Sequence, residues 1–171
     1  MQLLVVRHAI AEDRDIFAAA GREDDERPLT EEGTRRMAAG AVGLVRVVPR
    51  LDAVASSPLV RAVQTAEIIA RAYGNLPVER VAALAPGGDF DAIVDWLERH
   101  EPGSVVAAVG HEPDLSELVT HLLLDAAMPF FSFKKGAACL LEFEGKIGPG
   151  EAELRWLLAP KHLRVLGGDD A

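Results

Sequence analysis

Four residues in this sequence are of the kinds that grip and transfer an anionic group: Arg7, His8, Arg61 and His111. An arginine carries a permanent charge, and its planar fork donates in parallel to the oxygens of a phosphoryl group. A histidine with one unprotonated ring nitrogen is a nucleophile or proton carrier near neutral pH. Arg7 and His8 are neighbours, whereas Arg61 and His111 lie far along the chain. For the four to act together, the fold must bring three separate stretches to one place.

The sequence around each of them offers such a fold. Gln2 to Val6 reads as a buried strand that stops at Arg7-His8. Leu51 to Ala55 reads as a second strand. Ser57-Pro58 then looks like an N-cap followed by proline at the first helical position. Leu59, Ala62, Val63, Ala66, Ile69 and Tyr73 form the apolar stripe of that helix up to Gly74, with Arg61 in its first turn. Ser104 to Val109 is a third strand and runs into Gly110-His111-Glu112-Pro113. In an open parallel sheet the carboxyl ends of the strands share one edge, where ligands bind. Taken singly, each residue has a plainer reading: an exposed strand end, a surface helix arginine, a loop histidine. Three such placements at one sheet edge are hard to explain as decoration. Arginine forks and helix N-terminal amides both suit a phosphoryl group there.

The remaining segments complete the alternation. Thr30 looks like an N-cap, with Glu31 and Glu32 in the first turn and Met37, Ala41, Leu44, Val45 and Val48 at helical spacing before Pro49. Val78 to Leu84 is expected to be extended. Asp89 is placed to cap a helix reaching His100, and Asp114 one carrying Leu115, Leu118, Val119, Leu122 and Leu123. Ala137 to Phe143 and Glu153 to Leu158 read as strands separated by a Gly/Pro turn, suited to a hairpin at an antiparallel edge. Residues 9–29 show no clear period, and the run Glu23-Asp24-Asp25-Glu26 reads as a solvated loop. The expected fold class is α/β, a mainly parallel sheet with helices on both faces. A chain of 171 residues suits a single domain over 1–171.

Composition narrows the function classes. A net charge of −9 argues against nucleic acid or an anionic membrane as a general partner, so an anionic substrate needs a local concentration of positive charge. The single cysteine, Cys139, lies in an apolar run and reads as a buried strand residue. No apolar run approaches the roughly 20 residues of a membrane span, and the N-terminus lacks the flanks of a signal peptide, so a cytoplasmic monomer is expected. His111-Glu112-Pro113-Asp114 lacks the second histidine of a zinc motif, and Pro86-Gly87-Gly88 lacks the lysine of a nucleotide loop. Neither metal nor cofactor is expected. His100, His121 and His162 read as structural or exposed.

The same stretches resemble a known family. Leu3-Leu4-Val5-Val6-Arg7-His8-Ala9 resembles the Arg-His signature of the histidine phosphatase superfamily, which includes the phosphoglycerate mutases. Ser57-Pro58-Leu59-Val60-Arg61-Ala62-Val63-Gln64-Thr65 is similar to its Ser-Pro-x-x-Arg-Ala-x-Gln-Thr block, and Arg27-Pro28-Leu29-Thr30-x-x-Gly33 to the segment before its first helix. Gly110-His111 resembles its Gly/Ser-His turn. Small size, Arg-His-Ala, Leu84-Ala85-Pro86-Gly87-Gly88-Asp89 and Leu158-Ala159-Pro160-Lys161-His162-Leu163 are most similar to the SixA-like phosphohistidine phosphatase branch.

This resemblance implies a three-layer, phosphoglycerate-mutase-like sandwich. It implies that His8 attacks phosphorus and becomes a phosphohistidine that water hydrolyses, its other ring nitrogen donating to a backbone carbonyl. Arg7, Arg61 and His111 would surround the phosphoryl oxygens. Arg27 would reach a substrate phosphate or flanking peptide, or else pair with the acidic cluster before it, and Glu112 would contact substrate through its backbone N–H. The larger mutases carry a glutamate proton donor in the region of Leu84 to Asp89, and no glutamate lies between Arg80 and Asp91 here. Asp89 is at most a weak donor or a helix cap. The implied partner is a phosphohistidine-bearing protein. A small phosphate ester, or binding of a phosphoprotein without turnover, are the alternatives.

Overall fold

The computed structural model describes residues 1–169. Its centre is a six-stranded sheet built from β1 (Gln2–Arg7), β2 (Ala53–Ser56), β3 (Val78–Arg80), β4 (Val105–Gly110), β5 (Ala138–Glu142) and β6 (Glu153–Leu158). The strand order is β3-β2-β4-β1-β5-β6. β3, β2, β4 and β1 run parallel, while β5 and β6 are antiparallel to their neighbours and form the expected hairpin edge.

Among the described residues, six helices flank the sheet: α1 (Arg14–Ala19), α2 (Glu31–Val47), α3 (Val60–Ala72), α4 (Phe90–Glu98), α5 (Asp114–Leu124) and α6 (Pro160–Gly167). The period of two along β1 sorts them into layers. Leu4 and Val6 pack with Met37, Leu44, Ala66, Ile69 and Leu163 of α2, α3 and α6. Leu3 and Val5 pack with Ile93, Leu97, Leu118 and Val119 of α4 and α5. A sheet covered on both faces needs continuous apolar strands, as Leu3-Leu4-Val5-Val6 provides. Each fully buried side chain of this size contributes about 1.5–3 kcal/mol, so this frame holds the strand ends firmly. Cys139 is buried in β5, where burial pushes its thiol pKa up.

Local chemistry explains most element starts. Thr30 Oγ1 accepts from the Gly33 N–H at 2.9 Å, and the Asp89 carboxylate accepts from the Asp91 N–H, each capping its helix as expected. Five segments differ from the sequence reading. α3 begins at Val60 with Leu59 at its N-cap, so Ser57-Pro58 precedes the helix and frees the Ser57 hydroxyl for another partner. Asp114 is the first residue of α5 and accepts from the Gly87 N–H at 2.6 Å. β3 ends at Arg80, and a 3-10 turn over Ala82–Leu84 follows. α1 and α6 lie where no helix was expected. α1 is one short helix capped by Asp13 with Phe17 alone buried. α6 lies against α2 so closely that a Cβ on Gly43 would collide with the Leu163 carbonyl. Among the described residues, no helix is long and apolar enough to cross a membrane.

Candidate active site

The register of β1 on β4 pairs Arg7 with Gly110. The residues that follow, His8 and His111, therefore leave the sheet side by side, with ring centroids 5.1 Å apart. The Ser57 N–H donates to the Val109 carbonyl, which brings the start of α3 and Arg61 to the same edge. Arg7, His8, Arg27, Arg61, His111 and Glu112, the six residues singled out from sequence, all line one cavity of about 520 Å³. Arg14 and Lys135 add two further cations to its wall.

His8 is 5% exposed, and its Nδ1–H donates to the Ala9 carbonyl at 2.8 Å. That bond fixes the tautomer and leaves the Nε2 lone pair free. Burial first, then the charges of His111, Arg61 and Arg7, push its pKa down to about 3 against the bond to Ala9. The ring is thus neutral over the physiological range. The Ala9 peptide is itself held: its N–H donates to Thr65 Oγ1 at 3.0 Å, and Thr65 donates onward to the Arg61 carbonyl at 2.7 Å. Gln64 accepts from the Leu29 N–H at 2.7 Å and ties down the strap that leads to α2. The Gln64-Thr65 pair therefore positions backbone around His8.

His111 is also buried, and burial followed by Arg61 pushes its pKa down to about 4. Its Nε2 lies 2.8 Å from Ser57 Oγ. Among the described residues the Ser57 hydroxyl, which also accepts from the Leu59 N–H, has no acceptor other than His111 Nε2, so its hydrogen is assigned to that nitrogen. This assignment puts the His111 proton on Nδ1, a buried atom with no partner in the protein.

The two arginines are anchored in different ways. Arg7 donates through one terminal nitrogen to the Phe133 carbonyl. The Glu112 carboxylate holds that segment, accepting from the Phe133 N–H at 3.1 Å and from Ser116 Oγ at 2.8 Å. The Glu112 side chain is thus a strut behind Arg7, whereas the expectation from sequence concerned its backbone N–H. Arg61, 2% exposed, donates to the Asp24 carbonyl at 2.8 Å and pairs with the Asp24 carboxylate at 3.0 Å. Arg27 donates to the same carboxylate at 2.9 Å and to the Glu12 carbonyl at 2.7 Å. Arg14 adds a third contact to Asp24 at 3.2 Å. Burial works against ionisation of Asp24, but Arg27, Arg14 and Arg61 outweigh it and pull the pKa to about 2.

Asp24 corrects the solvated-loop reading of the acidic run. Glu23, Asp25 and Glu26 are exposed, while Asp24 turns inward as counter-charge to three arginines. The one sequence signal for this was the Asp24-x-x-Arg27 spacing in a chain that buries two arginines. Asp89 caps α4 and is not among the residues lining the cavity. His100, His121 and His162 do not line it either: His100 packs edge-on to Trp96 and His121 faces Asp125. Among the described residues, no group of three or more His, Cys, Asp or Glu could hold a metal ion.

Among the described residues, three buried N–H groups at this site have no partner: Arg7 Nε, Arg61 Nε and His111 Nδ1. Each such donor left unsatisfied costs about 1–3 kcal/mol.

Comparison with known proteins agrees with this arrangement. Residues 3–86 match the Histidine phosphatase superfamily (branch 1). An uncharacterized protein of Picosynechococcus sp. is 41% identical over 119 residues, covering 68% of this chain and 70% of that one. The phosphohistidine phosphatase SixA of Escherichia coli is 27% identical over 169 residues, covering 96% and 98%. A solved structure of the protein histidine phosphatase SixA complexed with tungstate superposes with a TM-score of 0.77 over 95% of this chain and 99% of that one, at 27% identity. With its phosphoglycerate-mutase-like fold and its Arg-His strand end, this chain belongs to branch 1 of the histidine phosphatase superfamily.

Proposed function

We propose that this chain is a phosphohistidine phosphatase that works through a covalent intermediate on His8. The observation that carries the reading is a neutral His8, its Nδ1 already bonded to the Ala9 carbonyl, in one cavity with Arg7, Arg61 and His111. His8 Nε2 attacks phosphorus, the N–P or O–P bond of the substrate breaks, and the leaving group departs with the bonding pair. Arg7, Arg61 and His111 stabilise the charge on the equatorial oxygens. Water then attacks the phosphoryl group on His8, releasing inorganic phosphate and restoring the free imidazole. The arginines and His111 supply positive charge and donors, so no metal is required by this scheme.

Substrate class follows from the absence of a glutamate between Arg80 and Asp91, where the family's usual proton donor lies. An alkyl phosphate leaves as an alkoxide unless an acid protonates it. Asp89, the carboxyl nearest in sequence to the family's usual donor, caps α4. A phosphohistidine with its second ring nitrogen protonated releases neutral imidazole and needs little help. The similarity to SixA over nearly the whole chain supports the same choice.

The test is kcat/KM for a phosphohistidine peptide, a series of aryl phosphates of graded leaving-group pKa, phosphoserine and sugar phosphates. The expected order is phosphohistidine first, then aryl phosphates falling steeply with leaving-group pKa, then phosphoserine and sugar phosphates. A flat dependence, or sugar phosphates as best substrates, overturns the reading in favour of a small-molecule phosphatase. His8→Ala should abolish turnover while the folded protein persists; no turnover of any phosphorylated compound by the wild type would favour a binding module.

A further inference from the structure

A second cavity of about 410 Å³ opens on the other side of Arg7, between α2, the 134–136 turn and the start of α6. Arg7 and Lys135 line both cavities, so the two meet at those residues. The floor of the second is apolar, formed in part by Ile10, Met37 and Pro160. Its rim is cationic: Arg36, Lys134 and Arg164 join Arg7 and Lys135, and among the described residues no carboxylate lines it. In a chain of net charge −9, that is a local reversal of sign. Arg36 pairs with Glu32, and Arg164 lies 3.9 Å from Asp169. Lys134 and Lys135 form no ion pair among the described residues, and both are exposed.

We propose that this cleft takes the stretch of a protein substrate next to its phosphohistidine, a stretch carrying acidic residues beside an aliphatic side chain. The proposal rests on the phosphohistidine reading above. An apolar floor takes an aliphatic side chain, and separated cations on three elements suit carboxylates spaced along a peptide better than one compact dianion. The junction at Arg7 and Lys135 lets one continuous ligand fill both cavities with its phosphoryl group at His8.

The test uses two phosphohistidine peptides of equal length, flanked by Glu-Leu-Glu or by Lys-Leu-Lys, each read as a ratio to p-nitrophenyl phosphate in the same preparation. The acidic peptide is expected to be favoured about three- to tenfold in kcat/KM, through KM rather than kcat. Lys134→Gln with Arg36→Gln should bring the two peptides level. Equal peptides in the wild type, or a preference that survives the double variant, overturn the cleft. A second arm is independent of the phosphohistidine reading: the unphosphorylated acidic peptide should slow p-nitrophenyl phosphate turnover, and do so less in the double variant. Competition there, with neither phosphopeptide hydrolysed, overturns the phosphohistidine reading alone. Competition by phosphatidic acid vesicles but not by the peptide overturns the peptide as occupant.

Discussion

Arg7 and Arg61 present the same guanidinium to the same cavity, yet Arg7 is held by the carbonyl of Phe133 and Arg61 by the carboxylate of Asp24. The first anchor is dipolar and leaves the charge of Arg7 nearly whole. The second offsets part of Arg61's charge and shares Asp24 with Arg27 and Arg14. Burial disfavours the charged form of both arginines. Glu112 offsets this for Arg7 from behind a backbone strut, and Asp24 does so for Arg61 by direct contact. The strand-end side of the site is therefore fixed by the sheet, and the strap side by an ion-pair network. Substitutions on the two sides should fail in different ways.

The largest effects belong to the arginines themselves. Arg7→Ala and Arg61→Ala should each lower kcat by about 10²–10³, the loss seen when a donor to transition-state charge is removed. Arg61→Ala should also lower the urea midpoint, because Asp24 loses its innermost partner; Arg7→Ala should move it less. Equal destabilisation by both would erase the distinction between the two sides.

Next come the supporting carboxylates. Asp24→Asn removes the counter-charge but leaves an acceptor, so Arg61 becomes more positive and less well held. Its kcat should fall about tenfold, a change of about 1.4 kcal/mol, while inhibition by vanadate becomes tighter and more salt-sensitive. Glu112→Gln should lower kcat by a similar or smaller factor with no gain in vanadate affinity. If Asp24→Asn weakened vanadate instead, Asp24 would be acting through geometry alone.

Acid stability separates the two sides by pH window. Unfolded histidines protonate near pH 6.5, whereas His8 and His111 in the fold hold out to about 3 and 4. The unfolded state thus binds more protons below 6.5, and stability should fall as pH drops from about 6.5 to about 4, by up to about 1.4 kcal/mol per pH unit for each histidine. Asp24 is shifted in the same direction but in a lower window: its contribution is present above its unfolded pKa and is lost only as pH falls toward about 2. Urea midpoints between pH 7 and pH 4.5 should show a slope that lessens in His8→Asn and is unchanged in Asp24→Asn. The smallest expected effect is none: EDTA should leave turnover intact, and a loss restored by one divalent metal would contradict the mechanism.

What the sequence disclosed follows the same division. Arg7, His8, Arg61 and His111 sit where strands end or a helix begins, so local periodicity and their motifs placed them at one edge. The inner strands of the sheet were readable because they are apolar on both faces, and the largely exposed edge strand β6 because a Gly/Pro turn precedes it. Ser57, Thr65, Asp24 and the side chain of Glu112 were not assigned their roles, because each is defined by a partner distant in the chain: Thr65 by Ala9, Asp24 by Arg61, Glu112 by Phe133. Ser57-Pro58 carried a true turn signal, but the hydroxyl serves His111 rather than opening α3. α6 escaped because its helical length depends on close packing against Gly43 of α2, which no local pattern reports.

The central claim is a phosphoryl group carried on His8 Nε2. Rapid acid-free quenching during turnover of a phosphohistidine peptide, followed by mass spectrometry of the digested protein, tests it most directly. The expected result is one acid-labile phosphate on the peptide containing His8, absent in His8→Ala and increased when water attack is slowed at low temperature. Sustained turnover with no phosphate on His8, or with phosphate on another residue, would contradict the account.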